Sequence, residues 1–218
     1  MALIGLDPLG DRAYLAHFAA ERDAAGWAAA VRDRHWPGVV DVVLAYRTVA
    51  VFADPDQLNL SALESRLRAI APAEESGHVG KRLVIPVLYD GADLDTVAMR
   101  FQLSTDEVIA QHSGVAYHVF AIGFLPGFPY AGYLPPALTG LPRRDAPRLR
   151  VPAGSVAIAG RQTGIYPGES PGGWHLLGRT PVCIVDLDDD YFPIQAGDRI
   201  QFRPISAADF EARHHERL

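Results

Sequence analysis

Residues 120–181 constrain the fold of this chain more than any other stretch, because glycine and proline interrupt them at short intervals. These 62 residues contain 11 of the chain's 20 glycines and 10 of its 17 prolines. Glycine permits the backbone angles of tight turns, and proline removes the hydrogen bond that a helix interior needs. A long helix is therefore excluded here, and short strands joined by turns are predicted instead.

The same stretch is positively charged, although the chain as a whole is acidic. It carries six arginines against two acidic residues, a balance of +4, whereas the whole chain has a net charge of −6. A cationic, turn-rich surface on an acidic protein indicates a site for an anion or for a partner. Nucleic acid is not an expected partner, since the isoelectric point is about 5.7 and no basic helix is apparent.

The C-terminal half predicts a β-barrel domain over residues 116–218. Short apolar runs alternate with glycine- and proline-containing turns, and no long helix is predicted after Tyr117. The predicted strands cover residues 118–122, 155–159, 174–177, 182–186 and 199–203.

The N-terminal part predicts a ferredoxin-like α+β domain over residues 1–90. Its signals follow the order β-α-β-β-α-β, the split βαβ arrangement. The predicted elements are strands at 12–18, 39–45, 48–53 and 82–89, with helices at 20–35 and 61–70. The fold class is therefore α+β, with two short helices over residues 91–115 connecting the two domains. The second of these helices should begin with a capping box at Ser104 and Glu107.

Several common functions are excluded by the residues present. No apolar run is long enough to cross a bilayer, and the first residues lack the features of a signal peptide, so a cytoplasmic protein is expected. The histidines lack the spacing of metal ligands, and with one cysteine no metal site is expected. The Gly168–Gly172 segment matches GxSxG, but Pro171 has no N–H to serve as an oxyanion donor. The one lysine, Lys81, does not lie in a P-loop.

The turn-rich stretch supplies the candidate site residues, because it combines aromatic, polar and cationic side chains with bare glycine backbone. Such mixtures bind small polar molecules, and arginines pair with carboxylates or phosphates. The predicted substrate-binding residues are Phe128, Arg161, Gln162, Thr163, Tyr166, Gly172, Gly173, Trp174 and Arg179. The predicted catalytic residues are His112, Arg150 and His175.

Three segments resemble the allophanate hydrolase subunit 1 family. They read GFLPGFPYAGYLP from Gly123, PRLRVPAGSVAIAGRQTGIYP from Pro147 and SPGGWHLLGRTP from Ser170. The resemblance runs through most of the chain and includes the Gly197-Asp198 pair before the last strand. It implies a C-terminal barrel of the cyclophilin-like type after an N-terminal α+β domain, in agreement with the pattern above.

Members of that family differ in activity, so the resemblance leaves three functions open. The first is the B component of an ATP-dependent 5-oxoprolinase, with ATP as co-substrate, which opens 5-oxo-L-proline to L-glutamate. Its implied partners are a C component of the allophanate hydrolase subunit 2 type and an A component of the LamB/YcsF type. The second is a Kip-type inhibitor of a sensor histidine kinase. The third is an accessory protein of a urea or amide carboxylase.

Overall fold

The computed structural model describes residues 3–70, 80–214 and 216–218. Contacts between residues divide the chain into two compact units, Met1–Val79 and Gly80–Leu218. Both units mix strands and helices, so the predicted α+β class is confirmed. The domain bounds at residues 90 and 115 stay a prediction, since compactness alone does not show which parts fold independently.

The first unit is a four-stranded antiparallel sheet with two helices. The strands lie in the order β1-β2-β4-β3. Its elements are β1 Leu3–Leu9, β2 Ala13–Phe18, α1 Glu21–Asp33, β3 Val39–Ala45, β4 Thr48–Ala53 and α2 Leu60–Arg68. On α1, Trp27 is buried and its ring lies 5.4 Å from that of Phe18. On α2, Leu63 and Leu67 are fully buried, so this helix packs through an apolar face.

One prediction for this unit was wrong and one strand was missed, and both concern the edge of the sheet. The strand predicted at 82–89 does not close this sheet, because Arg82–Val87 pairs in parallel with Arg199–Pro204 of the second unit. The edge position beside β2 is taken by β1, which was not predicted. Its glycine, aspartate and proline disfavour a central strand, but an edge strand tolerates proline because one side of its backbone needs no partner.

The second unit is built around a seven-stranded sheet. Its first half contains β5 Arg82–Val87, α3 Leu94–Phe101, α4 Thr105–Ser113, β6 Ala116–Ile122, β7 Pro129–Gly132 and a 3-10 turn at Pro136–Leu138. Its second half contains β8 Arg148–Val151, β9 Ser155–Ala159, β10 Gln162–Ile165, β11 Ser170–Gly172, β12 His175–Arg179, β13 Arg199–Pro204 and α5 Ala207–Ala212. The strand order is β12-β9-β10-β7-β6-β13-β5, and β8 and β11 form a separate two-stranded ribbon.

This sheet is nearly closed into a barrel, as predicted for the C-terminal part. Its two edge strands meet just beyond β5, where Leu88 and Arg179 exchange two backbone hydrogen bonds of 2.9 Å. The interior holds Tyr117, Ile158, Leu177 and Phe202, all almost fully buried. The strand predicted at 182–186 was wrong, since only isolated bridges form there.

The predicted helices over residues 91–115 are present, and they pack against the barrel core. Val97 of α3 and Val108 of α4 are fully buried in the same apolar cluster as the barrel interior. Ser104 and Glu107 form the predicted capping box at the start of α4. Among the described residues, no helix is long and apolar enough to cross a membrane.

Candidate functional site

Asp93 is the centre of a buried polar cluster in the second unit. It occupies the N-cap position of α3, but its side chain does not cap the helix. Instead, Arg148 donates two hydrogen bonds to the carboxylate and Arg144 donates a third, each 2.8 Å long. The Leu176 backbone N–H donates a fourth, also 2.8 Å. Four charge-assisted bonds hold this carboxylate and both guanidinium groups in place.

Asp93 is ionised at neutral pH although it is only 2% exposed. Burial alone would raise its pKa, but the hydrogen bonds from Arg148 and Leu176 and the charges of the two arginines lower it below its ordinary value. The cluster contains two guanidinium groups against one carboxylate. It therefore keeps a net positive charge, which favours an anionic ligand nearby.

Two hydrogen bonds join the loop between Leu141 and β8 to residues 173–175, and they bring His175 to the cluster. The Arg144 backbone N–H donates to Gly173 O at 2.8 Å, and His175 Nε2 lies 2.9 Å from Pro142 O. The Asp93 N–H donates to Leu176 O at 3.1 Å. The loop, the end of β11 and the start of β12 thus form one continuous hydrogen-bonded wall.

Two buried polar atoms in this wall have no hydrogen-bond partner among the described residues. They are Nε of Arg144 and Nδ1 of His175. Most buried polar groups in proteins are paired, so an unpaired donor and an unpaired acceptor in one cluster need an explanation.

An aromatic cluster lies beside this wall and is centred on Phe128. The Phe128 ring packs edge-on against Tyr166 at 5.2 Å, Trp174 at 5.5 Å and Tyr130 at 5.0 Å. All but Tyr130 are nearly fully buried. Phe124 also contacts Phe128 but is 60% exposed, so the aromatic cluster reaches the protein surface at this residue.

Tyr166 connects the aromatic cluster to the arginines. Burial raises its pKa, while the Trp174 backbone hydrogen bond and the charges of Arg143 and Arg148 oppose the rise. The Tyr166 hydroxyl also explains why position 172, one of the predicted site residues, is glycine. A Cβ there would lie 2.4 Å from the hydroxyl oxygen. Any residue larger than glycine at 172 would displace this ring.

His112 lies inside the barrel rather than at this wall. It is fully buried and stacks on Phe202 at 4.5 Å. Thr163 donates its hydroxyl to Ala157 O, so it accepts from His112 Nε2 at 2.8 Å, and His112 Nδ1 accepts from the Tyr89 hydroxyl at 2.7 Å. Burial lowers the pKa of His112 to about 3, so the ring is neutral. This geometry favours a structural role for His112 and Thr163.

The three arginines chosen from the sequence lie apart from Asp93 and have partners of their own. Arg150 pairs with Glu169 at 3.0 Å, where both side chains are largely exposed. Arg179 pairs with Asp90 at 2.9 Å and lies over the Phe210 ring. Arg161 lies over the Tyr133 ring at 4.1 Å, and its neighbour Gln162 pairs with β7 and β9.

The structure thus brings together six of the predicted residues and adds others that sequence reasoning missed. The predicted residues that meet at the wall and the aromatic cluster are Phe128, Tyr166, Gly172, Gly173, Trp174 and His175. The residues that were missed are Asp93, Arg144 and Arg148. Arg148 lies two positions before Arg150 on β8, and side chains two positions apart on a strand normally share a face, so the sequence pattern did not separate the two arginines. Nothing in the sequence links Asp93 to arginines more than 50 residues away.

A metal centre has no support in the described part of the chain, where no three histidine, cysteine, aspartate or glutamate side chains come close enough to share an ion. The chemistry available at the wall is that of hydrogen bonding and positive charge. It suits the binding and orientation of a small anion.

Comparison with known proteins places the chain in a family. The model of the carboxyltransferase domain, subdomain C and D, matches residues 4–193. The chain belongs to this family. Members that resemble it closely include the B subunit of 5-oxoprolinase from Escherichia coli O157:H7, which is 41% identical over 82% of this chain and 84% of its own. The corresponding 5-oxoprolinase protein of Bacillus subtilis strain 168 is 35% identical over 97% of both chains. These relatives confirm the resemblance found in the sequence.

Solved structures show the same fold. The crystal structure of TTHA0988 superposes with a TM-score of 0.81 and 39% identity over 90% of this chain, which spans 40% of the length of TTHA0988. PH0987 from Pyrococcus horikoshii is 38% identical, with a TM-score of 0.56 over 94% of this chain and 100% of its own. The Kluyveromyces lactis urea amidolyase shares the fold, with a TM-score of 0.72 at 20% identity over 95% of this chain and 15% of its own.

Proposed function

We propose that this chain is the B component of an ATP-dependent 5-oxoprolinase that converts 5-oxo-L-proline to L-glutamate. The observation that carries the proposal is its identity of 35–41% to three curated 5-oxoprolinase proteins of this type, over 81–97% of its length. A protein of this type works within an assembly. We therefore assign it the two partners that the sequence resemblance implies, one of the allophanate hydrolase subunit 2 type and one of the LamB/YcsF type.

The proposed reaction explains the need for ATP. The lactam of 5-oxoproline is stabilised by resonance and opens slowly in water. Transfer of the terminal phosphoryl group of ATP to the lactam oxygen releases ADP and makes the ring carbon a better electrophile. Water then adds to that carbon, and the ring C–N bond breaks as the nitrogen takes up a proton. A second water releases phosphate and leaves glutamate.

In this reaction the chain would bind and orient a negatively charged molecule. The net positive charge around Arg144 and Arg148 supports this role, because preorganised donors in a site shielded from water stabilise negative charge strongly. Phe128, Tyr166 and Trp174 are nearly fully buried and pack as a core cluster beside these arginines. The catalytic roles predicted for His112 and Arg150 gain no support from their positions, one inside the barrel and the other in an exposed ion pair.

The two alternatives have weaker support. The likeness to a urea amidolyase lies at 20% identity and concerns the fold alone. A kinase inhibitor would need a docking surface for a kinase domain, and no relative named above carries such a description.

The proposal is tested by co-expressing the chain with its two cognate partners and measuring ADP and glutamate release. A panel of 5-oxoproline, urea and urea with bicarbonate separates the alternatives. We expect ADP and glutamate in equal amounts with 5-oxoproline and no ADP with urea. ADP release that depends on urea and bicarbonate instead would reject the oxoprolinase assignment.

A further inference from the structure

Arg144 uses only part of its guanidinium group on Asp93. Arg148 presents both terminal nitrogens to the carboxylate, whereas Arg144 donates to it through Nη1 alone, at 2.8 Å. The remaining side of the Arg144 guanidinium, formed by Nε and Nη2, is a two-donor fork of the kind that binds a carboxylate. Nε has no partner among the described residues, although it is buried, and the side chain as a whole is 33% exposed.

His175 offers the complementary group, a hydrogen-bond acceptor. Its Nε2 lies 2.9 Å from Pro142 O, which can only accept, so Nε2 carries the hydrogen. Nδ1 therefore holds a lone pair, and it too is buried without a partner in the described part of the chain. The residue is 8% exposed.

Arg144 and His175 are connected through the same set of hydrogen bonds. Backbone hydrogen bonds join Arg144 to Gly173, and the Leu176 N–H donates to the carboxylate that holds Arg144. His175 lies between these two attachment points on the chain. Its ring is fixed by the residue two positions before Arg144. A ligand that meets both atoms needs an anionic group for Arg144 and an N–H for His175.

We propose that Arg144 and His175 bind the carboxylate and the adjacent N–H of an N-acylated α-amino acid, the class to which 5-oxoproline belongs. This inference rests on the proposed function for its choice of 5-oxoproline as the natural member of the class. The Arg144 fork binds the carboxylate, and His175 Nδ1 accepts from the amide N–H. A carboxylate without the N–H does not satisfy this pair, because its oxygens present lone pairs to the lone pair of Nδ1.

The experiment measures binding of a ligand series to the full-length chain by calorimetry. The series contains 5-oxoproline, N-acetylalanine, 2-pyrrolidinone without the carboxylate, the lactone analogue of 5-oxoproline without the N–H, and acetate, which has the carboxylate alone. We expect the first two to bind about 10-fold or more tightly than the others, because each of the others lacks one of the paired groups.

Three variants separate the roles of the two residues. Arg144→Gln should weaken binding of 5-oxoproline about 10- to 100-fold and make it equal to that of 2-pyrrolidinone. His175→Gln can keep the donor to Pro142 but has no acceptor at the Nδ1 position, so it should bind the lactam and the lactone equally. Arg100→Gln removes the same charge at an exposed position on α3 and serves as the control. Near-ultraviolet circular dichroism checks that each variant is folded.

Several results would overturn the inference. These are a folded Arg144→Gln variant with unchanged affinity, a wild-type chain that binds the lactone as well as the lactam, and a wild-type chain that binds neither N-acyl amino acid at millimolar concentration. Failure of the proposed function is a separate result. In that case the assembly does not turn over 5-oxoproline, yet N-acetylalanine still binds in an Arg144-dependent manner.

Discussion

At the scale of single residues, Gly172 illustrates how closely the aromatic cluster is packed. A Cβ there would lie 2.4 Å from the Tyr166 hydroxyl and 2.9 Å from its ring. Tyr166 is 1% exposed and held by Phe128, so the ring has little room to move. We expect Gly172→Ala to reduce the free energy of unfolding by about 1–3 kcal/mol. Urea denaturation measures this loss.

Gly168→Ala is the matched control, since nothing lies within 4 Å of a Cβ at position 168 and its φ is not positive. Its stability should stay within about 0.5 kcal/mol of wild type. Equal effects of the two substitutions would mean that Tyr166 does not pack on Gly172 as described.

The buried His112 predicts a specific dependence of stability on pH. Its pKa is lowered to about 3 in the folded state, whereas an unfolded histidine titrates near about 6.5. Between these values the unfolded chain binds one more proton, so the contribution of His112 is present above about pH 6.5 and is lost as the pH falls. Well below that pH the loss approaches about 1.4 kcal/mol per pH unit.

His112→Gln removes this titration, so its stability should fall less steeply with pH than that of wild type. Unfolding free energies measured at intervals between neutral and mildly acidic pH give the two slopes. Parallel curves would contradict a buried neutral histidine.

The sequence predicted which residues form the site better than it predicted which of them contact each other. The aromatic and glycine residues of the site were found because a turn-rich stretch concentrates them in sequence. The Asp93–Arg148 pair was missed because its members are 55 residues apart and only the folded barrel brings them together. The sequence could not separate Arg148 from Arg150, since side chains two positions apart on a strand normally share a face.

At the scale of elements, the start of α3 is fixed by an ion cluster rather than by a helix cap. Removing the charge of Asp93 leaves two partly buried guanidinium groups without their acceptor. We expect Asp93→Asn to lower the unfolding free energy by about 2–4 kcal/mol at neutral pH. Asp95→Asn, at an exposed position in the first turn of the same helix, should cost far less.

The pH dependence of this effect provides its check. Because the folded pKa of Asp93 is lowered, its contribution is present above the unfolded value of about 3.9 and is lost as the pH falls below it. The difference between wild type and Asp93→Asn should therefore shrink at acid pH. A difference that stays constant down to about pH 3 would show that the charge is not responsible.

Element prediction succeeded where the signal was local and failed at the sheet edges. The helices α1 to α4 were all predicted, and the start of α4 was predicted from its capping residues. The sheet predicted for β5 was wrong, because its parallel partner β13 lies more than 100 residues later in the chain. A strand's sequence predicts that it pairs, but not which strand it pairs with.

At the scale of the whole molecule, the stability of the barrel depends on the close contact between its two edge strands at Leu88 and Arg179. A Cβ on Gly178 would lie 2.3 Å from Leu88 O and 2.9 Å from the Tyr89 Cα, so the two edges would have to separate. We expect Gly178→Ala to lower the unfolding free energy by about 3 kcal/mol or more. Gly123→Ala, where a Cβ meets nothing within 4 Å, is the control. A Gly178→Ala chain as stable as the control would contradict the closure.

The central claim about the whole molecule is that it is a required part of a 5-oxoprolinase. The most direct measurement is glutamate release from 5-oxoproline and ATP by the two partner proteins, with and without this chain. We predict release only when the chain is present, rising with its concentration until the assembly is complete. Release at the same rate without the chain would contradict the claim.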